Sequence, residues 1–128
     1  MPRQKISSGT KWEAIAGYSR AVRVGNIVHV SGTTATDDQG MLVGGDSMYE
    51  QTKYIIQKIE RSLIAAGATL EDVVRTRIYV TDANRWEEAS RAHAEFFGEI
   101  RPANTLLEIS ALIGDGYLVE MEAEAIIE

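Results

Sequence analysis

Three short stretches carry the side chains most able to do chemistry. Glu120, Glu122 and Glu124 alternate along one segment, Arg75, Arg77 and Tyr79 along another, and His29 lies two residues before Ser31. A carboxylate can hold a water or take a proton. An arginine fork can hold a carboxylate or balance a glutamate row. Other chemistries are poorly supplied. With no cysteine there is no thiolate nucleophile, disulfide or cysteine-based zinc site. His29 and His93 share no metal-ligand spacing, so neither a metal nor a cofactor is expected. His93 has no Ser or Asp at triad spacing and reads as a packed or solvated helix residue. His29 reads as a hydrogen-bonded structural one. Ser7-Ser8-Gly9 and Gly44-Gly45 are not followed by the Gly-Lys-Ser/Thr of a phosphate loop.

These groups need strands to position them. Gly25-Asn26 between apolar runs predicts a hairpin joining strands at 19–24 and 27–31. A weaker strand fits 5–8. The Gly-, Asp- and Thr-rich stretch 32–47 reads as loop. Ser47 with Glu50 predicts a capping box. Met48, Thr52, Ile55, Ile56, Ile59, Leu63 and Ile64 then recur at three- and four-residue spacing, which predicts an amphipathic helix ended by Gly67. At 73–80, Val74, Thr76, Ile78 and Val80 alternate with Arg75, Arg77 and Tyr79. A second helix fits 84–97 and stops at Gly98. Strands at 104–110 and 117–127 flank the turn Gly114-Asp115-Gly116. The order β-β-β-α-β-α-β-β places the chain in the α+β class, one sheet with two helices covering one face.

The 128 residues, 45% of them hydrophobic, make one domain spanning 1–128 with a core that needs no staples. The net charge of -6 repels phosphate backbones, and no basic run or aromatic–basic interleaving around Trp12 or Trp86 offsets it. Nucleic acid is therefore not an expected partner. No apolar stretch approaches the roughly 20 residues of a membrane span, and the start of the chain lacks the apolar core of a secretory signal. Without cysteines to suggest an oxidising compartment, a cytoplasmic location is expected.

Strand parity separates two faces. Val119, Met121, Ala123 and Ala125 suit the helices. Glu120, Glu122, Glu124, Arg75, Arg77, Tyr79, Ile27, His29 and Ser31 fall on the other face, and the expectation places Asn104, Leu106 and Glu108 there too. Such a face can be solvated and laced with ion pairs. Its aliphatics Ile27 and Leu106, with Tyr79, also suit burial between subunits.

The segments Gly17-Tyr18-Ser19, Val30-Ser31-Gly32, Arg77-Ile78-Tyr79-Val80-Thr81-Asp82, Phe96-Phe97-Gly98, Arg101-Pro102-Ala103-Asn104-Thr105 and Val119-Glu120-Met121-Glu122-Ala123 follow one another in a characteristic order. Their order and spacing resemble the RidA (YjgF/YER057c/UK-type) family over nearly the whole chain. The resemblance implies a chorismate-mutase-like α+β fold. It also implies a homotrimer whose sheets form a central barrel, with ligand clefts between subunits. The family's best-understood branch hydrolyses enamines and imines to 2-keto acids and ammonia.

By that resemblance Glu120 matches the water-positioning carboxylate. Gly32 with Ser31 matches the loop near the ligand nitrogen, and Tyr18 the aromatic hydroxyl of the cleft. Asn104 stands where the active branch has its carboxylate-binding arginine, and Leu106 where a cysteine is frequent. A neutral hydrogen bond is worth roughly 1 kcal/mol against about 1.5–3 for one to a charged group, so weak activity on 2-imino acids is expected. Arg77 either pairs with Glu120, balances the glutamate row, or partly replaces the missing charge. Arg101, held extended by Pro102, points to the other face. The leading expectation is a homotrimer that binds a small imino, keto or related carbonyl compound and hydrolyses a labile one. A non-catalytic metabolite-binding module is the alternative, and a ribonuclease or translation inhibitor the third.

Overall fold

The computed structural model describes residues 2–128. The chain runs β1 (Gln4–Ile6), α1 (Lys11–Ala16), β2 (Ala21–Val24), β3 (Ile27–Thr33), α2 (Met48–Ala65), β4 (Val73–Val80), α3 (Trp86–Phe97), β5 (Ala103–Glu108) and β6 (Val119–Ile126). One six-stranded sheet has the order β1-β2-β3-β6-β4-β5. All neighbours are antiparallel except β4 and β5, which are parallel and joined through α3. The last strand thus enters the middle of the sheet, between β3 and β4, and this places the glutamate row at its centre.

The hairpin forms at Gly25, which takes φ 62, with Val24 opposite Ile27. In α2, Ser47 caps the helix by accepting from the Glu50 N–H at 3.1 Å. The reciprocal half of the expected capping box is absent, because the Ser47 N–H donates to the Gly44 carbonyl instead. Past the helix, Gly67 at φ 90 reverses the chain and the Ala68 N–H returns to the Leu63 carbonyl. Met48, Ile55, Ile56, Ile59 and Leu63 are sealed against Val28, Val30, Ile78, Met121, Ala123 and Ala125 of the sheet, with Ala89 and Phe97 of α3 completing the core.

Four expectations are corrected. The short α1 was not expected: its apolar Trp12 and Ile15 are exposed and face no core, and it is anchored by Glu13, whose carboxylate accepts from the Ser8 N–H and the Ser8 and Thr10 hydroxyls. The strand β3 runs two residues past its predicted end. A bulge between Val73 and Arg75 puts Val73 in the core and leaves Val74 41% exposed, opposite to the parity expectation. Arg101 is not extended: it takes φ 55, its N–H returns to the Phe97 carbonyl, and its Nε donates to the Gly98 carbonyl. No helix among the described residues is long and apolar enough to cross a membrane.

Candidate functional site

The polar face is arranged by cross-strand register. Arg77 lies opposite Glu122 and Tyr79 opposite Glu120. The Arg77 Nη1 pairs with Glu124 at 2.8 Å and Glu122 at 3.3 Å, and the Tyr79 hydroxyl donates to Glu122 at 2.9 Å. Arg77 therefore balances the glutamate row and does not pair with Glu120. The hydrogen bond from Arg77 and its charge hold the Glu124 carboxyl below the usual range. An open hollow of about 230 Å³ lies over this face between Val22, His29, Ser31, Arg77, Glu122 and Glu124. His29 is exposed opposite Glu124 and its imidazole makes no hydrogen bond among the described residues, contrary to expectation.

Glu120 is set apart at the start of β6. It is partly buried, and no hydrogen bond or ion pair ties its carboxylate to the other described residues. Burial raises its pKa above the usual carboxylate value, with the neighbouring Arg20 charge opposing and Glu122 reinforcing. It lies against Gly32. A Cβ built there would stand 2.6 Å from Glu120 Oε2. Gly32 belongs to a bulge in which two residues of β3, Ser31 and Gly32, stand against the single Glu122 of β6. Here glycine is required by close approach, not by a positive φ.

The bulge is held from three sides. The Ser31 N–H donates to the Arg20 carbonyl at 3.0 Å, and the Ser31 hydroxyl to the Ser19 carbonyl at 2.6 Å. The Arg20 Nη2 donates to the Gly32 carbonyl at 2.5 Å, and the Lys58 Nζ to the Thr34 carbonyl at 2.9 Å. Tyr18 stacks on Arg20, whose guanidinium carbon is 5.6 Å from the ring centroid. The structure thus brings Tyr18, Ser31, Gly32 and Glu120 into one corner. It adds Arg20 and Lys58, which sequence reasoning missed. The available signals were the position of Arg20, two residues after Tyr18 on the way into β2, and that of Lys58, three residues after Ile55 beside the apolar stripe.

Asn104 and Leu106 lie elsewhere, which corrects their expected face. The parallel register pairs Thr76 with Asn104 and Ile78 with Leu106, so both point to the helix side of the sheet. Leu106 packs on the core. Asn104 Nδ2 donates to the Thr76 hydroxyl at 2.9 Å, and that hydroxyl lies 2.8 Å from His93 Nε2. Thr76 is fully buried. Burial lowers the His93 pKa, and its ring packs 4.6 Å from that of Phe97. Within one chain Asn104 and Glu120 therefore stand on opposite faces. Leu107 takes the outward place expected of Leu106 and is 42% exposed.

Comparisons with known proteins place the chain in a family. The sequence profile described as Endoribonuclease L-PSP matches residues 8–127. A RutC family protein of Pyrococcus abyssi is 39% identical over 126 residues, covering 98% of both chains. A crystal structure of a member of the YjgF/YER057c/UK114 family from Mycobacterium tuberculosis superposes with a TM-score of 0.90 at 49% identity, covering 98% of this chain and 100% of that one. That of RidA from an Antarctic Psychrobacter gives 0.79 at 31% identity, covering 86% and 88%. A profile match over nearly the whole chain, with that degree of identity and superposition, makes the chain a member of the endoribonuclease L-PSP family, the RidA/YjgF family.

Proposed function

We propose that the chain works as a homotrimer with small-molecule clefts between subunits, in which Glu120 positions water for hydrolysis of an imine, enamine or related labile carbonyl compound. The observation that carries this is the Glu120 carboxylate: partly buried, raised in pKa, pressed on Gly32 and without a hydrogen-bond or ion-pair partner among the described residues. A carboxylate whose pKa is lifted toward neutrality is a better base for water than an exposed one. Support for association comes from the polar face. Val24, Ile27 and Ile126 lie side by side across β2, β3 and β6, exposed by 44%, 42% and 39%. Such an apolar row on an otherwise charged sheet favours a covering surface. The opposite placement of Asn104 and Glu120 fits a cleft whose two walls come from different subunits.

The test generates an imine in situ from a simple amino acid with an amino-acid oxidase and follows release of the 2-keto acid. Acceleration over buffer that disappears in Glu120→Gln is expected. Binding of keto compounds with no acceleration of any imine in a panel of neutral and acidic examples would transfer the case to the non-catalytic binding module. Cleavage of RNA is disfavoured by the net charge of -6 and by the glutamate row on the face offered. The cleft's chemistry needs no metal or cofactor, and its partner is a small molecule.

A further inference from the structure

The corner around Gly32 holds a buried guanidinium that is short of partners. Arg20 is 8% exposed, yet of its guanidinium nitrogens only Nη2 has a partner among the described residues, and Nε is buried with none. A guanidinium carries five donors, and a buried charge left without a counter-ion is costly. Lys58 is also partly buried, spends its hydrogen bond on a backbone carbonyl, and makes no ion pair. The partly buried carboxylates near these two cations are Glu120 and Asp37, and neither makes an ion pair with Arg20 or Lys58 among the described residues. Asp37 and Asp38 act on Lys58 less than its burial and the neighbouring arginines do, and the Asp37 carboxylate already accepts from the Gln39 and Met41 N–H groups. What stands out is therefore the Arg20 guanidinium, a buried charge that makes no ion pair among the described residues and keeps Nε without an acceptor.

We infer that Arg20, backed by Lys58, is the anion-recognising pole of the cleft, so that the ligand is a small carboxylate seated on the β2–β3 wall beside Gly32. The inference rests on the cleft reading and adds the charge of its ligand. Position 104 plays no part in this charge recognition, since the Asn104 amide is already donated to Thr76. Tyr18, 39% exposed and stacked on Arg20, forms the outer edge of this pole. The carboxylate then lies on the same wall as Glu120, so binding, and not turnover, is the direct readout. Anion binding beside Glu120 should also draw a proton onto that carboxyl.

The probes are 2-oxobutanoate and its uncharged amide, titrated into the intact protein by calorimetry. The acid should bind at least about tenfold more tightly than the amide, as expected for hydrogen bonds to a charged group against neutral ones. Arg20→Gln keeps a donor for the Gly32 carbonyl but removes the charge. It should bring the acid-to-amide ratio to near one without changing the assembly or the melting temperature by more than a few degrees. Lys58→Met, on a separate element, should reduce the ratio about threefold and covers the case in which Arg20→Gln fails to fold. Equal binding of acid and amide by the unaltered protein, or an unchanged ratio in either folded variant, overturns the inference and leaves the cleft standing. Failure of both probes to bind overturns the cleft reading along with it.

Discussion

Gly32→Ala isolates the contact on which the Glu120 assignment depends. The Gly32 φ lies outside the left-handed region, so alanine introduces no backbone strain. Its Cβ would stand 2.6 Å from Oε2, 3.1 Å from Cδ and 3.5 Å from Cγ of Glu120. Ordinary contact begins near 3.4 Å, so the carboxylate end must retreat by about 0.8 Å while Cγ can stay. A misplacement of about 1 Å at a reacting group costs on the order of 100-fold in rate. The moving atoms are the tip of a flexible side chain, and alanine restricts the unfolded chain, so stability should change by less than about 1 kcal/mol. The assay is imine hydrolysis by Gly32→Ala, Glu120→Gln and the double variant, with thermal melts of each. The expected result is a loss of roughly 100-fold in Gly32→Ala, and a double variant no slower than Glu120→Gln alone, because both changes act through one carboxylate. Full activity in Gly32→Ala, or losses that multiply in the double variant, would refute the reasoning.

Asn104→Arg should raise turnover of 2-imino acids about tenfold by adding a charged fork at the position where the family's active branch carries one, measured as keto-acid release. No gain in a folded variant would show that this position does not reach the substrate. Thr76→Val removes the hydroxyl shared by Asn104 and His93 in a fully buried site and should cost about 1–3 kcal/mol in chemical denaturation. Lys58 is pushed down to about 8 from 10.5, chiefly by burial, so the folded state disfavours its protonated form. That cost is complete below about pH 8 and fades as pH rises toward 10.5. Lys58→Met should therefore stabilise the protein by about 1 kcal/mol around pH 6, with the gain gone near pH 10 in melts across that range.

Local pattern and long-range register divide what was legible in the sequence. The 24–27 hairpin follows from Gly25-Asn26, and α2 from apolar residues spaced by three and four after Ser47, because both signals lie within one element. The glutamate row and its arginines were legible because alternation along β6 and β4 needs no partner to be seen. Bulges were not legible. The extra residues at Val74 and at Ser31-Gly32 are defined only against β6, a strand distant in sequence. The face of β5 failed for the same reason: its own residues alternate either way, and only the parallel register with β4 assigns Asn104 to the helix side. The Asn104 amide meets Thr76 from 28 positions away, across that register. Arg20 was missed because nothing in Ser19-Arg20-Ala21 marks a buried guanidinium. Its burial is made by the Gly32 carbonyl and the Tyr18 ring once the bulge has formed.

Light scattering on the purified protein at micromolar concentration tests the central claim most directly, since a cleft with walls from two subunits exists only in the assembly. The account predicts a particle three times the 14.1 kDa chain mass, with Glu120 and the Val24–Ile27–Ile126 row facing its sister chains. A stable particle of one chain mass under those conditions would contradict it.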